Sequence, residues 1–421
     1  MGAVQEEIKP GYKLTKAGPI PIDWNEVALG AIVEKKAPIV YGIVQAGPHV
    51  ENGVPYIKTT DLKGFDLNEL QKTSESIAKR YKRSEVKPND IVMALRGDLP
   101  SSMIVPEELE RANLTQGTAR IRVSSDYHSK YIDYSIHSLF VRKRIHAVSK
   151  GSTFKEISLD ELRKLKVLVP DDLEEQSRIS YCLSKWDKAI ENLTQLISEK
   201  QQKKKALMHA LLTGKKRFLG FDGEWKEVHL KDLFKRITRK NTEKNTNVVT
   251  ISAQRGLVLQ DTYFKKNIAS EITDNYFLLQ KDEFAYNKSY SNGYPMGAIK
   301  RLKVLDKAVV TTLYICFDAI DPAQTSRDFF EHFFEEGHLN RGLKKVANEG
   351  GRAHGLLNVT PKDFFNLQLI VPEFNEQQKI AEVLNAASKE IELLYQKLDA
   401  LKDQKKGLMQ QLLTGKKRLK F

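Results

Sequence analysis

The chain has 421 residues, 41% of them hydrophobic, and its basic residues exceed the acidic ones by a formal net charge of +14. Its length exceeds one ordinary core, its apolar share excludes a disordered chain, and no apolar run reaches the ~20 residues of a membrane helix. Cys182 and Cys316 stand far apart without a CxxC partner, which argues against a disulfide framework or a Cys-rich zinc site and fits a reducing cytoplasm, while the positive surplus points to a polyanion, most simply nucleic acid.

Residues 1–19 form a leader without the apolar core of a secretion signal. WNEVAL at 24–29 then opens a stretch, 20–157, in which β-rich runs (VPYIKT, DIVMAL, ARIRV) precede the helical YIDYSIHSLFVRKR. This is read as a globular α+β domain. Val169-Pro170 follows, within a helical region spanning 158–220. Ile179, Leu183, Trp186, Ile190, Leu193 and Ile197 are spaced 4-3-4-3-4, and Leu207 and Leu211 come later. Such a heptad seam predicts a left-handed coiled coil over a helix from about 174 to 213. Asp172 and Glu175 have capping-box spacing at its start. At its end, LLTGKKR (211–217) supplies closing leucines, a left-handed C-cap at Gly214 and a basic triplet at the negative end of the helix dipole.

The chain then repeats itself. At an offset of 201 residues, Glu175–Arg217 aligns without gaps with Glu376–Arg418, identical at 20 of 43 positions. WKEVHL at 225–230 matches WNEVAL, and LLTGKKR returns at 412–418. A second domain, 221–359, carries NVVTIS, VVTTLYICF and the helical RDFFEHFFEEGHLNRGLKKV. A second helical region, 360–421, has its seam at Ile380, Leu384, Ala387, Ile391, Leu394, Leu398, Leu401, Leu408 and Leu412, with Asn375 and Gln378 as its capping pair. The matched blocks frame two stretches that have diverged, so the chain is a tandem duplication.

Catalytic motifs are missing. GxxxxGK[ST] would need Gly at 209 and Ser or Thr at 216, where His209 and Lys216 stand. No two prolines are adjacent, so a Pro-Pro methyltransferase loop is absent, as are GxGxxG, HExxH and GxSxG. The acidic cluster at 171–175 sits where a helix begins and reads as capping rather than as a metal site. No catalytic or metal-ligating residue is assigned, and no cofactor is expected for this chain.

Two variable domains thus alternate with two matched helices. Each domain opens on a Trp-x-Glu-Val-x-Leu element and closes on KVLVPDDLEEQ or QLIVPEFNEQQ, and each helix ends in LLTGKKR. This arrangement resembles the specificity subunit of type I restriction–modification enzymes, across essentially the whole chain. The resemblance implies two α+β target-recognition domains joined by two long antiparallel coiled-coil helices, with pseudo-twofold symmetry. It implies double-stranded DNA as ligand, two docked methyltransferase subunits and, through them, restriction subunits. S-adenosylmethionine, ATP and magnesium would belong to those partners. An alternative is a single-chain methyltransferase or nuclease with its own recognition domains; a third reading is a coiled-coil scaffold without a DNA role.

Base readout needs hydrogen-bonding side chains, and affinity needs cations at phosphates. In the first domain the expected DNA contacts are Lys58, Thr59, Thr60, Arg96, Gln116, Gly117, Thr118, Ser152 and Thr153. In the second they are Gln254, Arg255, Lys288, Ser289, Tyr290, Thr311, Arg352 and His354. Arg96 and Lys288 each follow an aspartate (Asp90, Asp282) by six residues and are taken as counterparts. Methyltransferase docking is expected at Leu207, Met208, Leu211 and Leu212, and at Leu408, Met409, Leu412 and Leu413.

Overall fold

A computed structural model describes residues 9–15, 17–151, 155–260, 273–349 and 357–419. The chain forms two compact units, Met1–Thr194 with Lys397–Phe421, and Gln195–Gln396. Each unit contains one globular domain, the first half of the long helix that follows it or precedes the C-terminus, and the last half of the other long helix.

The predicted helices form at Leu173–Leu212 and Phe374–Leu412. Asp172 caps the first, accepting from the backbone N–H groups of Glu174 (3.0 Å) and Glu175 (3.1 Å). The carboxylate of Glu175 does not fold back to complete a capping box, because Arg418 takes it at 2.6 Å. The second helix begins one residue before Asn375, so Asn375 lies inside the helix rather than at its cap.

Within each unit the two half-helices run antiparallel. In the first, Asp187 meets Lys405 and Glu175 meets Arg418. In the second, Lys200 meets Glu390 and Arg217 meets Glu376. The seam follows the heptads: Ile179, Leu183, Leu193, Ile197, Ile380, Leu384 and Leu398 are buried. Ile190, Ile391, Leu394 and Leu401 are half-buried, as expected where only one other helix covers a seam.

The two domains share a framework despite their divergence. The first has an antiparallel sheet in the order Val40–Tyr41, Thr118–Ile121, Ile91–Ala94, Ser102–Ile104. The second repeats that order with Phe234–Ile237, Ile315–Ala319, Phe284–Asn287 and Ala298–Arg301. VVTTLYICF therefore does not form one strand: it splits into Lys307–Val310 and Ile315–Ala319 around a turn. The second core is strongly aromatic. Phe234 lies edge-on to Phe317 at 5.4 Å and to Phe330 at 4.9 Å, contacts that add to the gain from burial.

The repeated motifs prove to be the mounts of these domains. Trp24–Ala28 pairs with Lys166–Pro170, and Lys226–His229 with Gln368–Val371, so in each domain the strand of the Trp motif is zipped to the strand that leads into the long helix. The glutamine after each Val-Pro then ties domain to helix. Gln176 donates to the Pro170 carbonyl and accepts from the His128 N–H, both at 2.9 Å. Gln377 does the same with Pro372 (2.9 Å) and Ser326 (3.0 Å). Both glutamines are buried, where an unmade bond would be costly.

LLTGKKR completes each mount. Gly214 and Gly415 have φ of +69° and +67°, the left-handed C-cap that glycine adopts without strain. A Cβ on Gly415 would lie 2.4 Å from Pro21 and 3.4 Å from the Trp24 ring; one on Gly214 would touch Trp225 at 3.5 Å. The final arginine of each copy, Arg217 or Arg418, forks onto the buried Glu376 or Glu175. The repeated leucines of the motif are correspondingly interior. Leu211, Leu212, Leu412 and Leu413 are at most 2% exposed and lie in the cores, which corrects their assignment as docking residues. Leu207, Met208, Leu408 and Met409 are half-buried against the same cores.

A buried histidine joins domain to helix in the second unit. His332, 7% exposed, has its Nε2 2.8 Å from Asn385 Oδ1, and burial holds its pKa below the ordinary histidine value. The Asn385 hydrogen bond and Glu331 pull the other way, while Lys204 and Lys303 add to the effect of burial. A depressed folded pKa means that the unfolded chain takes up the proton first. Stability from this group is present above about pH 6.5 and is lost as pH falls below it, by at most ~1.4 kcal/mol per pH unit. Urea midpoints at pH 7.5 and 5.5 should therefore converge in His332→Gln relative to the native chain.

Candidate nucleic-acid interface

The framework register shows which loops are equivalent. The turn at Asn89 (φ 68°) corresponds to that at Asp282 (φ 71°), because Asn89 N–H donates to Val105 and Asp282 N–H to Leu302 in the same ladder position. Ile91 therefore matches Phe284, and the residue matching Arg96 is Ser289. The sequence parallel between Arg96 and Lys288 is off by one position; Lys288 matches Leu95. Both of those carbonyls accept from a segment near the domain's end, Leu95 from Ile157 (2.8 Å) and Lys288 from Leu357 (3.0 Å).

A second shared loop is a tight turn before the next sheet strand. Thr118 N–H donates to the Thr115 carbonyl at 3.1 Å, and Tyr314 N–H to the Thr311 carbonyl at 3.2 Å. Gln116-Gly117 and Thr311 thus belong to one turn, seen in two domains with different residues. The turn lies beside the loop after the central strand, since Leu95 N–H donates to the Gly117 carbonyl at 2.8 Å.

In the first domain the expected residues converge there. Thr59 Oγ1 donates to the Gly117 carbonyl at 3.3 Å, and a Cβ on Gly117 would meet Thr59 Oγ1 at 2.7 Å and Arg96 Nε at 2.9 Å. Arg96, Gln116 and Thr60 are exposed, and Lys58 and Thr59 are half-buried. Asp61 organises this segment: it accepts from the Lys58 N–H (2.8 Å) and from Thr60 Oγ1 (3.1 Å). Thr118 is corrected. It is buried, and its hydroxyl donates to the Ile57 and Thr115 carbonyls, so it fastens the turn from inside. Ser152 and Thr153 lie outside the described residues.

The second domain is furnished differently. Tyr290 and Leu313 are exposed at 62% and 63% beside the two equivalent loops. Lys288 turns inward: its ammonium donates to the Val359 carbonyl at 3.4 Å, and burial lowers its pKa. It is corrected from a DNA contact to a support of the loop that carries the half-buried Ser289. Thr311 holds its own turn, its Oγ1 accepting from the Leu313 N–H at 3.4 Å. Gln254 and Arg255 are exposed on a separate hairpin turn between Val249–Ser252 and Gly256–Leu259, next to the long helices rather than to Tyr290. Arg352 and His354 lie outside the described residues.

The sequence pattern did not single out Lys63 and Arg142. Lys63 pairs with Asp98 at 2.9 Å in the Arg96 loop, and both cations hold the Asp98 carboxyl below its usual range, Lys63 more strongly. Neither lies in a repeat or a motif, and only the fold reveals them. Among the described residues no group of three His, Cys, Asp or Glu could hold a metal ion, and no helix is long and apolar enough to cross a membrane.

Two domains with a common framework, different residues on equivalent loops and a shared helical mount define a duplicated recognition protein. A family model for the type I restriction modification DNA specificity domain matches residues 21–200 and again 222–403, and the chain belongs to that family. It is 32% identical over 165 residues to the type I restriction enzyme EcoBI specificity subunit of Escherichia coli, covering 38% of this chain and 34% of that protein. The MjaX relative from Methanocaldococcus jannaschii aligns along 97% of both chains at 23% identity. Among solved structures, the S subunit of a type I restriction–modification system from M. genitalium has a TM-score of 0.55 at 15% identity, covering 96% of this chain and 99% of that one. A chain from a type I system studied for complex assembly and conformational transition reaches 0.57 at 12% identity, covering 94% and 99%.

Proposed function

We propose that this chain is the DNA sequence-specificity subunit of a type I restriction–modification complex and works in the cytoplasm. Each domain reads one half of a two-part target through the loop after its central strand and the adjoining turn. The observation that carries this reading is the pairing of unlike recognition loops with like mounts. Arg96, Gln116 and Thr59 cluster in one domain where Ser289, Tyr290, Thr311 and Leu313 stand in the other, so the two halves of the target differ.

The mechanism follows from what each part can do. Polar side chains on the turns reach base edges, while cations fix the duplex by its phosphates. The paired helices hold the domains apart and set the unread gap between the half-sites. The matched helices present one surface twice, to two methyltransferase subunits, which in turn recruit restriction subunits. Modification and cleavage, with their S-adenosylmethionine, ATP and magnesium, belong to those partners; target adenines are flipped into the methyltransferase.

Methylome sequencing of cells expressing this chain with its methyltransferase tests the reading. The expected result is one asymmetric motif in two parts with a fixed gap, lost when the gene for this chain is deleted. Methylation by the purified chain alone would instead favour a single-chain enzyme.

A further inference from the structure

Each unit holds a cationic crevice where its recognition domain meets the long helices. In the first unit it has a volume of about 690 Å³, with Arg142 from the domain and Lys402, Lys405 and Lys406 from the second long helix. In the second unit it is about 330 Å³, with Arg255 and Lys303 from the domain and Lys204 from the first long helix. The lysines come from equivalent positions: at the 201-residue offset Lys204 matches Lys405. The domains have diverged, yet the crevice recurs.

The charges within these crevices are unevenly answered. Lys405 is neutralised by Asp187, which also accepts from the Tyr134 hydroxyl at 2.5 Å. At the position matching Asp187 the second unit has Ser388, and Lys204 has no ion pair among the described residues. The nearby carboxylates are already engaged, Glu335 by Lys300 and Glu331 by Arg301 and Lys303. Burial accordingly lowers the pKa of Lys204. Glu335 and Glu331 raise it only in part, and a half-buried ammonium without a direct ion pair carries a cost that an anionic ligand would offset. In the first unit the exposed Arg142, Lys402 and Lys406 likewise make no ion pair among the described residues.

The first crevice adjoins a recognition loop, and the second is lined by the separate hairpin turn of its own domain. Arg142 acts on Asp98, in the same loop as Arg96, and Arg255 stands on the turn next to Gln254. We propose that each crevice is a seat for a phosphate group, taken from the backbone of the duplex next to the bases that its own domain reads. This inference rests on the DNA-specificity reading. Lysines of the helices thereby grip the duplex at the inner edge of each half-site without reading sequence, and the grip fixes where the gap begins.

The test uses the complete complex bound to its mapped target. Each phosphate contact contributes about 0.9 to the slope of log affinity against log salt. Lys204→Gln in one crevice, and Arg142→Gln combined with Lys402→Gln and Lys406→Gln in the other, should each lower that slope by roughly one unit, with the preferred bases unchanged. Lys204→Arg, which keeps the charge, should retain the native slope, and thermal midpoints report whether each variant is folded. Neutral methylphosphonate placed along the backbone should weaken the native complex at one or two positions beside each half-site, and these positions should become silent in the variants. Unchanged slopes in folded variants would overturn the proposal. So would sensitivity to free inorganic phosphate with no sensitive backbone position, which would make the seat a site for small anions. A native complex with no bipartite preference at all would instead sink the specificity reading itself.

Discussion

Lengthening both long helices by four residues, after Leu196 and at the matched position after Lys397, should widen the gap in the DNA target by nearly two base pairs. Four residues add about 6 Å of helical rise, against about 3.4 Å per base pair of B-DNA. The insertion points are dictated by how the chain is divided. The first unit ends at Thr194 and resumes at Lys397, and the second spans Gln195–Gln396, so these sites fall at or within two residues of the junctions. Each unit then keeps its own locks, Glu175 with Arg418 and Glu376 with Arg217. A single insertion after Leu196 would lengthen one helix against an unchanged partner, and it should cost stability as well as activity. Methylome sequencing gives both the gap and the half-site bases. Altered bases with an unaltered gap, in a complex that still methylates, would show that the helices do not set the spacing.

The long-range order of this chain was legible because it is written twice. The heptads gave both helices to within a residue or two of their ends, and the matched blocks gave the alternation of domain and helix. What escaped the sequence was the identity of partners far apart along it. Glu175 has capping-box spacing from Asp172, yet its partner is Arg418, 243 residues away. The leucines of LLTGKKR look like an exposed sticky end, but the antiparallel return of the other helix puts each pair into a domain core. The slip between Arg96 and Lys288 has a similar origin. Counting from aspartates assumed that both begin the same turn, whereas Asp90 is matched by Glu283, each accepting from a backbone N–H three residues before it, Lys87 or Gln280. Charge and loop position alone could not say that Lys288 points inward; that depends on the Val359 carbonyl, which a later segment brings to it.

Replacing Gly117 by alanine should erase discrimination at the first half-site while leaving the second intact. Gly117 does not have a positive φ, so alanine fits its backbone. The obstacle is space: the new methyl would stand 2.7 Å from Thr59 Oγ1 and 2.9 Å from Arg96 Nε. Both are outer atoms of side chains that can swing away, so the sheet and the turn, held by Leu95 N–H on the Gly117 carbonyl and by Thr118 from beneath, should stay folded. What moves is the recognition group. A displaced arginine that had been bidentate to a guanine forfeits about 1–3 kcal/mol of discrimination, roughly 5- to 150-fold. The equivalent position in the other domain is Leu313, already large and exposed, so Leu313→Ala removes contact area there without crowding a neighbour. Binding of the assembled complex to duplexes altered one base pair at a time separates the cases. Gly117→Ala should flatten the profile over the first half alone, and Leu313→Ala should change only the second. Equal loss over both halves, or a native profile from Gly117→Ala, would remove this turn from the DNA interface and leave the two loops as framework.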